Sequence, residues 1–366
     1  MTPSTDPCTD FTQTSFPLKP PVAYLDTASI GLVPREVRAA VADCYNALGA
    51  GTQGMARTRS AVERARTLLA EEFGCDGTDI TFTSSTGEAI NAVARAVPWQ
   101  PDDEVLVLED EFPTTLLPWS RIPGVRLVTV APGPDDDRLG ALLAAIGPRT
   151  RLVSVSHVNS STGTLVDLVT LGGACARGGA LLLCDGAQSA GALPVDLTGV
   201  DFFVATGYKW MLAGFGIAFV IMKASVRDTL TPTLLGHGNV PPSHQLAVGT
   251  SNLAGIHALG AAADLRRRIG REAIMQRAGA LARRIREEGT ALGLRPVTRD
   301  DAHGTIISFA PPTSTVSAAA VEQLRRSDVI VADRGGTIRV SPHFYTRDSE
   351  VDALLTALSH SDITST

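Results

Sequence analysis

The central part of the chain alternates short apolar runs with segments that suit helices. Seven runs have the length and composition of buried strands. They cover residues 80–83, 104–109, 126–130, 151–156, 180–185, 201–206 and 216–222. Because helix-compatible segments separate several of them, we expect an α/β fold with a mainly parallel seven-stranded sheet and helices on both faces. Ligands in such folds bind where loops leave the carboxyl ends of the strands.

Helical patterns precede these runs. One helix is expected to begin at Pro34, because the fixed backbone of proline suits a first helical turn. Its apolar stripe includes Val37, Cys44 and Tyr45, which are spaced to share a face and are predicted to be buried. A second helical pattern covers residues 62–73.

The pattern also predicts how the chain divides into domains. A long helical pattern begins at Asn252, and the apolar runs TIISFA, VIVAD and TIRVS and a final helix follow it. We therefore expect a large domain at residues 31–254 and a small C-terminal α/β domain at 255–366. Residues 1–30 form a polar N-terminal arm that is expected to join the small domain.

Composition excludes several classes of protein. The 366 residues are 44% hydrophobic and 19% charged, which is typical of a globular protein. The net charge of -6 gives no basic surface for nucleic acid, and no apolar stretch is long enough to cross a membrane. The N-terminus has no secretion signal, so we expect a soluble, cytoplasmic protein. Five cysteines form no CxxC pair or histidine-spaced cluster, which argues against a metal site or a disulfide framework.

Lysine is rare in this chain, which makes each lysine informative. There are 29 arginines but only three lysines, Lys19, Lys209 and Lys223. Lys209 lies in ATGYKWMLAGFG, a loop of glycines and aromatic residues directly after a predicted strand. Burial among aromatic side chains lowers the pKa of an amine and favours its use as a nucleophile. A surface lysine between two strands is the alternative interpretation.

Two polar residues follow a neighbouring strand. Asp185 ends the run ALLLCD, and Gln188 comes shortly after it in DGAQSAG. A carboxylate at this strand end can keep a pyridine nitrogen protonated, and the glutamine amide can donate to a phenolic oxygen. Alternatively, Asp185 only caps the next helix.

The segment ITFTSSTGEAINAVA reads as a strand, a tight turn and a helix. Ser85 and Glu88 have the spacing of a capping box, and Thr86 and Gly87 form the first turn. Free N–H groups at a helix N-terminus bind phosphate, although many strand–helix junctions look similar. Together with Lys209 and Asp185, this turn predicts pyridoxal 5'-phosphate (PLP) bound to Lys209 as a Schiff base.

With these motifs in order, the chain resembles the class V aminotransferase branch of fold-type I PLP enzymes, which includes cysteine desulfurases, isopenicillin N epimerase-like proteins and kynureninases. The resemblance extends from YLDTASIGLVP to RVSPHFYTRDSEVDALL. It implies that Lys209 holds the cofactor, that Asp185 pairs with the ring nitrogen and that Gln188 pairs with the phenolic oxygen. Ser85, Thr86 and Gly87 then resemble the phosphate turn.

The resemblance also suggests further contacts. Phe112 in LEDEFPTT resembles the phenylalanine that stacks on the cofactor in kynureninase-like relatives, and Asn159 in SHVNSSTG, with His157 nearby, is placed beside the ring. Thr250 in VGTSN matches a residue that reaches the phosphate of the partner subunit, which implies a homodimer with shared active sites. Tyr208 is a candidate for proton transfer, although packing is the commoner role for a tyrosine in a buried loop.

Two arginines are candidates for binding a substrate carboxylate, a task that suits a planar bidentate donor. Arg334 in ADRGG matches the position that does so in relatives, and we favour it. Arg339 in TIRVS is the rival, with a structural ion pair as its alternative role. Three histidines near the expected substrate entrance receive no role: His237, His244 and His343.

The motifs also narrow the reaction. Cysteine desulfurases of this family carry a cysteine just after the carboxylate-binding arginine and stack a histidine on the ring, whereas this chain has DRGGTIRVSPH without cysteine, and Phe112. Persulfide-forming desulfuration is therefore disfavoured. FPTT, SHVN and AGALPVDL favour a kynureninase, but DGAQ has glutamine where the kynureninase motif has histidine.

We therefore expect a C–S β-lyase of specialised metabolism that acts on a small amino acid, a cysteine S-conjugate, with Lys209 as the covalent anchor and the base for the α-proton. An amino-acid epimerase or aminotransferase is the alternative. A PLP-binding regulatory protein without turnover is a third hypothesis. The presence of the lysine, the aspartate and the arginine together argues against this third hypothesis.

Overall fold

The computed structural model describes residues 7–239, 246–300, 304–311 and 314–359. Its helices are α1 Pro7–Ser15, α2 Arg35–Leu48, α3 Met55–Phe73, α4 Thr86–Ala96, α5 Pro113–Leu116, α6 Arg138–Ala145, α7 Leu168–Gly178, α8 Ala224–Arg227, α9 Leu253–Ile269, α10 Arg271–Ala291, α11 Ser314–Arg326 and α12 Asp348–Ser359. Its strands are β1 Ala23–Tyr24, β2 Ile80–Thr83, β3 Glu104–Leu108, β4 Arg126–Val130, β5 Thr150–Ser156, β6 Leu181–Asp185, β7 Phe202–Thr206, β8 Ala218–Met222, β9 Arg295–Pro296, β10 Ile307–Ala310, β11 Val329–Ile330, β12 Ala332–Arg334 and β13 Thr337–Val340.

All seven predicted central strands are present and form one sheet in the order β2-β8-β7-β6-β5-β3-β4. Strand β8 is antiparallel to both of its neighbours, and the other adjacent pairs are parallel. The predicted fold class is therefore confirmed. Strand β3 is followed by β4 on one side of it, whereas β5 is followed by β6 on the opposite side, so the direction of the connections reverses between β3 and β5. A crevice for ligands is expected between the carboxyl ends of these two strands.

The main sheet is apolar on both faces, because alternate residues of each strand enter two different cores. In β3, Leu106 packs in the core that contains α3, α7 and α9, whereas Val105 and Val107 pack in the core that contains α4. The sheet is thereby covered on both faces. The predicted stripe of α2 is wrong at one position. Tyr45 is 63% exposed, because it lies at the margin of the buried stripe that Val37 and Cys44 define.

A second, four-stranded sheet has the order β12-β13-β10-β9 and is antiparallel throughout. The N-terminal segment joins this region, since β1 pairs in parallel with β11 and Leu25 lies in the same core as Ile307 and Phe309. The division at residues 30 and 255 stays a prediction. Helix α9 begins beside that division, and its buried side packs against α2 and α3.

Within the described residues, every helix is too short or too polar to span a lipid bilayer. The five cysteines are free thiols, and four of them are buried. No group of three or more histidine, cysteine, aspartate or glutamate side chains is placed to hold a metal ion in this part of the chain.

Candidate active site

A cavity of about 190 Å³ opens at the carboxyl edge of the main sheet, beside the crevice between β3 and β5. Eight residues that the sequence singled out line it: Ser85, Thr86, Gly87, Phe112, Asp185, Gln188, Tyr208 and Lys209. Four polar residues that the sequence did not single out also line it: Thr114, Ser156, Ser160 and Thr206. The fold thus brings residues from the ends of several strands into one concave site.

Lys209 is the amine of this cavity and is only 9% exposed. Its pKa is lowered to about 8, chiefly by burial; the charge of Asp185 opposes this shift, and the charges of Arg339 and Arg334 contribute to it. The Nζ atom lies 5.7 Å from the ring centroid of Phe112 and 5.6 Å from that of Tyr208. A desolvated amine with this pKa is a nucleophile and a base near neutral pH.

The backbone of Lys209 is held by the N-terminal segment. The N–H of Gly31 donates to the carbonyl of Tyr208 at 2.8 Å. A Cβ atom at Gly31 would lie 2.0 Å from the Lys209 carbonyl oxygen, so only glycine permits this approach.

Asp185 is the buried carboxylate of the site. Its Oδ1 accepts from the backbone N–H of Ala187 at 2.8 Å, and its Oδ2 accepts from the Thr115 hydroxyl at 3.1 Å. Burial raises its pKa, and the hydrogen bond from Ala187, the charge of Lys209 and the hydrogen bond from Thr115 oppose the rise. A buried carboxylate is stabilised by a cation beside it. This environment fits a protonated pyridine nitrogen.

Helix α4 supplies an anion site. Ser85 is its N-cap and accepts from the backbone N–H of Glu88 at 3.1 Å, as the sequence predicted. The Glu88 carboxylate accepts from the backbone N–H of Ser84, so the predicted capping box is only half formed. The N–H groups of Thr86 and Gly87 lie in the first turn, where the helix offers them no carbonyl acceptor. Together with the helix dipole, they fit a phosphate group.

Two aromatic residues line the cavity. Phe112 is 46% exposed in spite of its size, which leaves its ring available for stacking on a planar ligand. Tyr208 stacks on Phe215 with ring centroids 4.6 Å apart, and burial raises the pKa of its phenol. Tyr208 is therefore a neutral hydrogen-bond donor beside Lys209.

Two residues that were predicted to contact the cofactor do not line the cavity, and neither do the two arginine candidates. The Asn159 side chain accepts from the backbone N–H groups of Ser161 at 2.8 Å and Thr162 at 2.9 Å, so it stabilises its own turn, and Ser160 lines the cavity instead. The Thr250 hydroxyl is 3.2 Å from Nε2 of His237. Roles for Asn159 and Thr250 toward the cofactor stay predictions.

The histidines near the site differ in their surroundings. His157 is buried behind the cavity, its backbone N–H donates to the Asp185 carbonyl at 2.9 Å, and burial lowers its pKa to about 4. It is therefore neutral at physiological pH. His343 is fully buried next to Trp210, and His244 lies outside the described residues.

The two arginine candidates converge on Ser29. Arg339 is 1% exposed and donates to the Ser160 carbonyl at 2.8 Å, to Asp26 at 3.1 Å and to the Ser29 hydroxyl at 2.7 Å. Arg334 is exposed and donates to the same hydroxyl at 3.3 Å. Both charges lower the pKa of Lys209.

Sequence reasoning missed a second buried carboxylate, Glu111, which is 7% exposed. Its Oε1 accepts from the backbone N–H of Ser156 at 2.8 Å, and its Oε2 accepts from the Ser156 hydroxyl. The pKa of Glu111 is raised to about 7, chiefly by burial; the hydrogen bonds from Ser156 oppose this rise, and the charge of Asp185 contributes to it. The available signal was its position directly after β3, where an acid reaches the carboxyl edge of the sheet.

Glu111 predicts a pH dependence of stability. Because its pKa rises on folding from the ordinary 4.5 to about 7, the folded protein keeps the proton to higher pH than the unfolded chain does. Its contribution to stability is present below pH 4.5 and is lost as pH rises through 7. The free energy of unfolding of the natural protein minus that of Glu111→Gln should therefore fall by about 1.4 kcal/mol per pH unit across this window. Urea unfolding at several pH values measures it, and a difference independent of pH would contradict the shift.

The fold and the site define a class of protein. A buried lysine, a buried carboxylate, a helix N-terminus and an aromatic face surround one cavity at the carboxyl edge of an α/β sheet. These groups fit PLP, which needs a covalent anchor, a partner for its ring nitrogen and a phosphate site. The chain is a PLP-dependent enzyme.

Comparison with known proteins identifies the family. Residues 23–354 match the family Aminotransferase class-V, so the chain belongs to this family, as predicted. It is 30% identical to an isopenicillin N epimerase of Amycolatopsis lactamdurans, with 93% of this chain and 95% of the relative covered. It is 27% identical to a probable cysteine desulfurase of Methanothermobacter thermautotrophicus, with 94% and 96% covered. A solved structure of the cystine C-S lyase C-DES in complex with cysteine persulfide has the same fold, with a TM-score of 0.86, 23% identity and coverage of 94% of this chain and 99% of that chain.

Proposed function

We propose that this enzyme is a C–S β-lyase of specialised metabolism that cleaves a cysteine S-conjugate, with one water, to a thiol, pyruvate and ammonia. The observation that carries the proposal is a cavity with a basic amine and no thiol. Lys209 lines the cavity, whereas none of Cys8, Cys44, Cys75, Cys175 and Cys184 does so. An enzyme that keeps the substrate sulfur as its own persulfide needs a cysteine at this place. A lyase releases the sulfur and needs only the base.

Lys209 has the pKa for this role. When bound, the cofactor withdraws electrons from the Cα atom of the amino acid. The Lys209 amine, with its pKa of about 8, accepts the α-proton and can pass a proton to the departing sulfur. The bond between Cβ and sulfur breaks, and the electron pair leaves with the thiolate. Asp185 would hold a negative charge next to the ring nitrogen of the bound cofactor.

For the substrate carboxylate we propose Arg339 in place of Arg334, which the sequence favoured. Support comes from burial, since a charged donor in a desolvated site binds a carboxylate more strongly than an exposed one does. Asp26, Ser29 and the Ser160 carbonyl fix the Arg339 guanidinium, and Ser160 itself lines the cavity. Arg334 is exposed and keeps one long hydrogen bond to Ser29.

A pair of matched variants tests this assignment. Arg339→Lys removes a bidentate donor and should raise KM for the amino acid by about 10- to 100-fold, the value of a lost charge-assisted hydrogen bond. Arg334→Lys should change KM by less than about threefold, because an exposed charge is screened. Steady-state kinetics of both variants measures this, and the reverse order of effects would return the role to Arg334.

The sequence also suggested a homodimer with shared active sites, and we retain this as a proposal. A cytoplasmic location is likewise retained as a proposal. Thr250 lies outside the cavity of its own chain, as expected for a residue that serves the partner subunit. Phe215 and Leu235 are 66% and 75% exposed, which suits burial in an interface.

An epimerase or aminotransferase is the second candidate. The observation that favours it is the 30% identity to an isopenicillin N epimerase over nearly the whole chain. In that reaction Lys209 would return a proton to Cα, and no bond to Cβ would break.

Proton NMR of the PLP-loaded enzyme in deuterated water separates the two candidates. The substrates are a panel of L-amino acids and cysteine S-conjugates, and the control is the same reaction without enzyme. Pyruvate together with a released thiol is the expected result. Recovered amino acid with deuterium at Cα and mixed stereochemistry would overturn the lyase and support the epimerase.

A further inference from the structure

Trp210, the residue after Lys209, has a fully buried side chain with one polar contact. Its indole Nε1–H donates to Oε1 of Gln188 at 2.8 Å. An indole nitrogen can donate a hydrogen bond but cannot accept one. The contact therefore fixes which end of the Gln188 amide faces Trp210, namely the oxygen.

The other end of the amide faces away from Trp210. One N–H of the Gln188 amide donates to the Ala28 carbonyl at 3.1 Å. The amide group carries two N–H bonds, so one remains. Gln188 lines the cavity, which leaves this N–H for a ligand there.

We propose that Trp210 is a positioning residue that locks the Gln188 amide with an N–H directed into the cavity, toward the phenolic oxygen of the cofactor. The proposal depends on the proposed contact between Gln188 and that oxygen. It does not depend on which reaction the enzyme catalyses.

The surroundings of Trp210 keep it in place. The N–H of Phe344 donates to Nδ1 of His343 at 2.7 Å, so the other ring nitrogen carries the proton and donates to the Trp210 carbonyl at 3.2 Å. A Cβ atom at Gly191 would lie 2.7 Å from that carbonyl oxygen, which shows how closely the two backbones approach. The indole packs in a core shared with Ala28 and Ile306. Four separate segments of the chain thus contact the backbone or the side chain of Trp210.

The orientation that Trp210 imposes on the Gln188 amide has a spectroscopic consequence. A donor at the phenolic oxygen draws off negative charge that would otherwise hold a proton on the nitrogen joining Lys209 to the cofactor. The pKa of that nitrogen is therefore lowered. Without the Trp210 N–H the amide can turn and present its oxygen to the phenolic oxygen, and the pKa should rise.

The test is a pH titration of the visible absorption band of the PLP-loaded enzyme without substrate. Trp210→Phe removes the donor and keeps an apolar ring, and it should raise the pKa of the band by about one unit. Gln188→Met should raise it similarly, and the double variant should rise no further than either single variant, because Trp210 acts through Gln188. Trp99→Phe is the matched control, since its indole N–H donates to the Ala94 carbonyl away from the cavity, and it should leave the pKa unchanged.

An unchanged pKa in Trp210→Phe, or additive shifts in the double variant, would overturn the proposal. If Trp210→Phe does not fold, the indole resonances of the three tryptophans in nitrogen-15 NMR give a second measurement. Gln188→Met should change the chemical shift of the Trp210 indole and leave that of Trp99 unchanged. An unchanged Trp210 shift would also overturn the proposal. Since no substrate is used, a wrong reaction in the proposed function would not alter these results.

Discussion

Lys209→Ala should lower turnover at least about a thousandfold, the upper part of the range for losing a positioned base. The variant also loses the covalent anchor of the cofactor. The fold should survive, because alanine removes only the side chain and leaves the contact between Gly31 and the Tyr208 carbonyl intact. Product formation per enzyme and circular dichroism measure the two effects.

Lys223→Ala is the matched control for this loss. Lys223 is exposed, precedes the short helix α8 and does not line the cavity. Its variant should keep natural turnover. Full activity in Lys209→Ala would contradict the entire assignment of the site.

Asp185→Asn should lower kcat by about 100- to 1,000-fold, a loss typical of removing a preorganised electrostatic group. Asparagine keeps the shape, and its single carbonyl oxygen can still accept from the Ala187 N–H while its NH2 group faces the Thr115 hydroxyl, which can accept. It has no charge to balance a protonated ring nitrogen. KM should change little, because Asp185 faces the cofactor and not the substrate. Steady-state kinetics of the PLP-loaded variant measures both constants.

Asp201→Asn offers a comparison for a carboxylate outside the cavity. Burial also raises the pKa of Asp201, whose side chain accepts from the Leu182 N–H at 2.9 Å at the opposite edge of the sheet. This variant should keep natural kcat. Equal kcat values for Asp185→Asn and Asp201→Asn would contradict the proposed role of Asp185 in the reaction.

The central sheet was predictable from sequence because its strands are buried on both faces and read as continuous apolar runs. The short strands β1, β9 and β12 were not separately predicted. Each has only two or three residues, too few to show an alternating pattern, and β1 pairs with β11, which is distant in sequence. Local pattern carries little information about such pairs.

The site residues that lie at the carboxyl ends of strands were predictable from the sequence. Lys209, Asp185 and the turn at Thr86 each follow or end a buried run. Strands β6 and β7 are parallel, and β2 runs in the same direction because β8 lies antiparallel between β2 and β7, so all three come together at one edge. Glu111 also follows a buried strand, β3, so the sequence contained the same indication that its carboxylate lies at this edge.

Other features depend on side-chain geometry that no spacing shows. Arg334 and Arg339 are five residues apart on a hairpin, and only the fold shows that Arg339 is buried and Arg334 exposed. Asn159 and its neighbour Ser160 also differ in a way that only the fold shows. The Asn159 side chain closes a turn, whereas Ser160 lines the cavity. The contact between Trp210 and Gln188 joins two loops whose approach follows from the packing of β6 beside β7.

The central claim is that Lys209 holds the cofactor. Borohydride reduction of the PLP-loaded enzyme makes the link permanent, and peptide mass spectrometry then locates it among only three lysines. The account predicts a phosphopyridoxyl group on the peptide that contains Lys209 and none on Lys19 or Lys223. A group on either of those two lysines, with Lys209 unmodified, would contradict it.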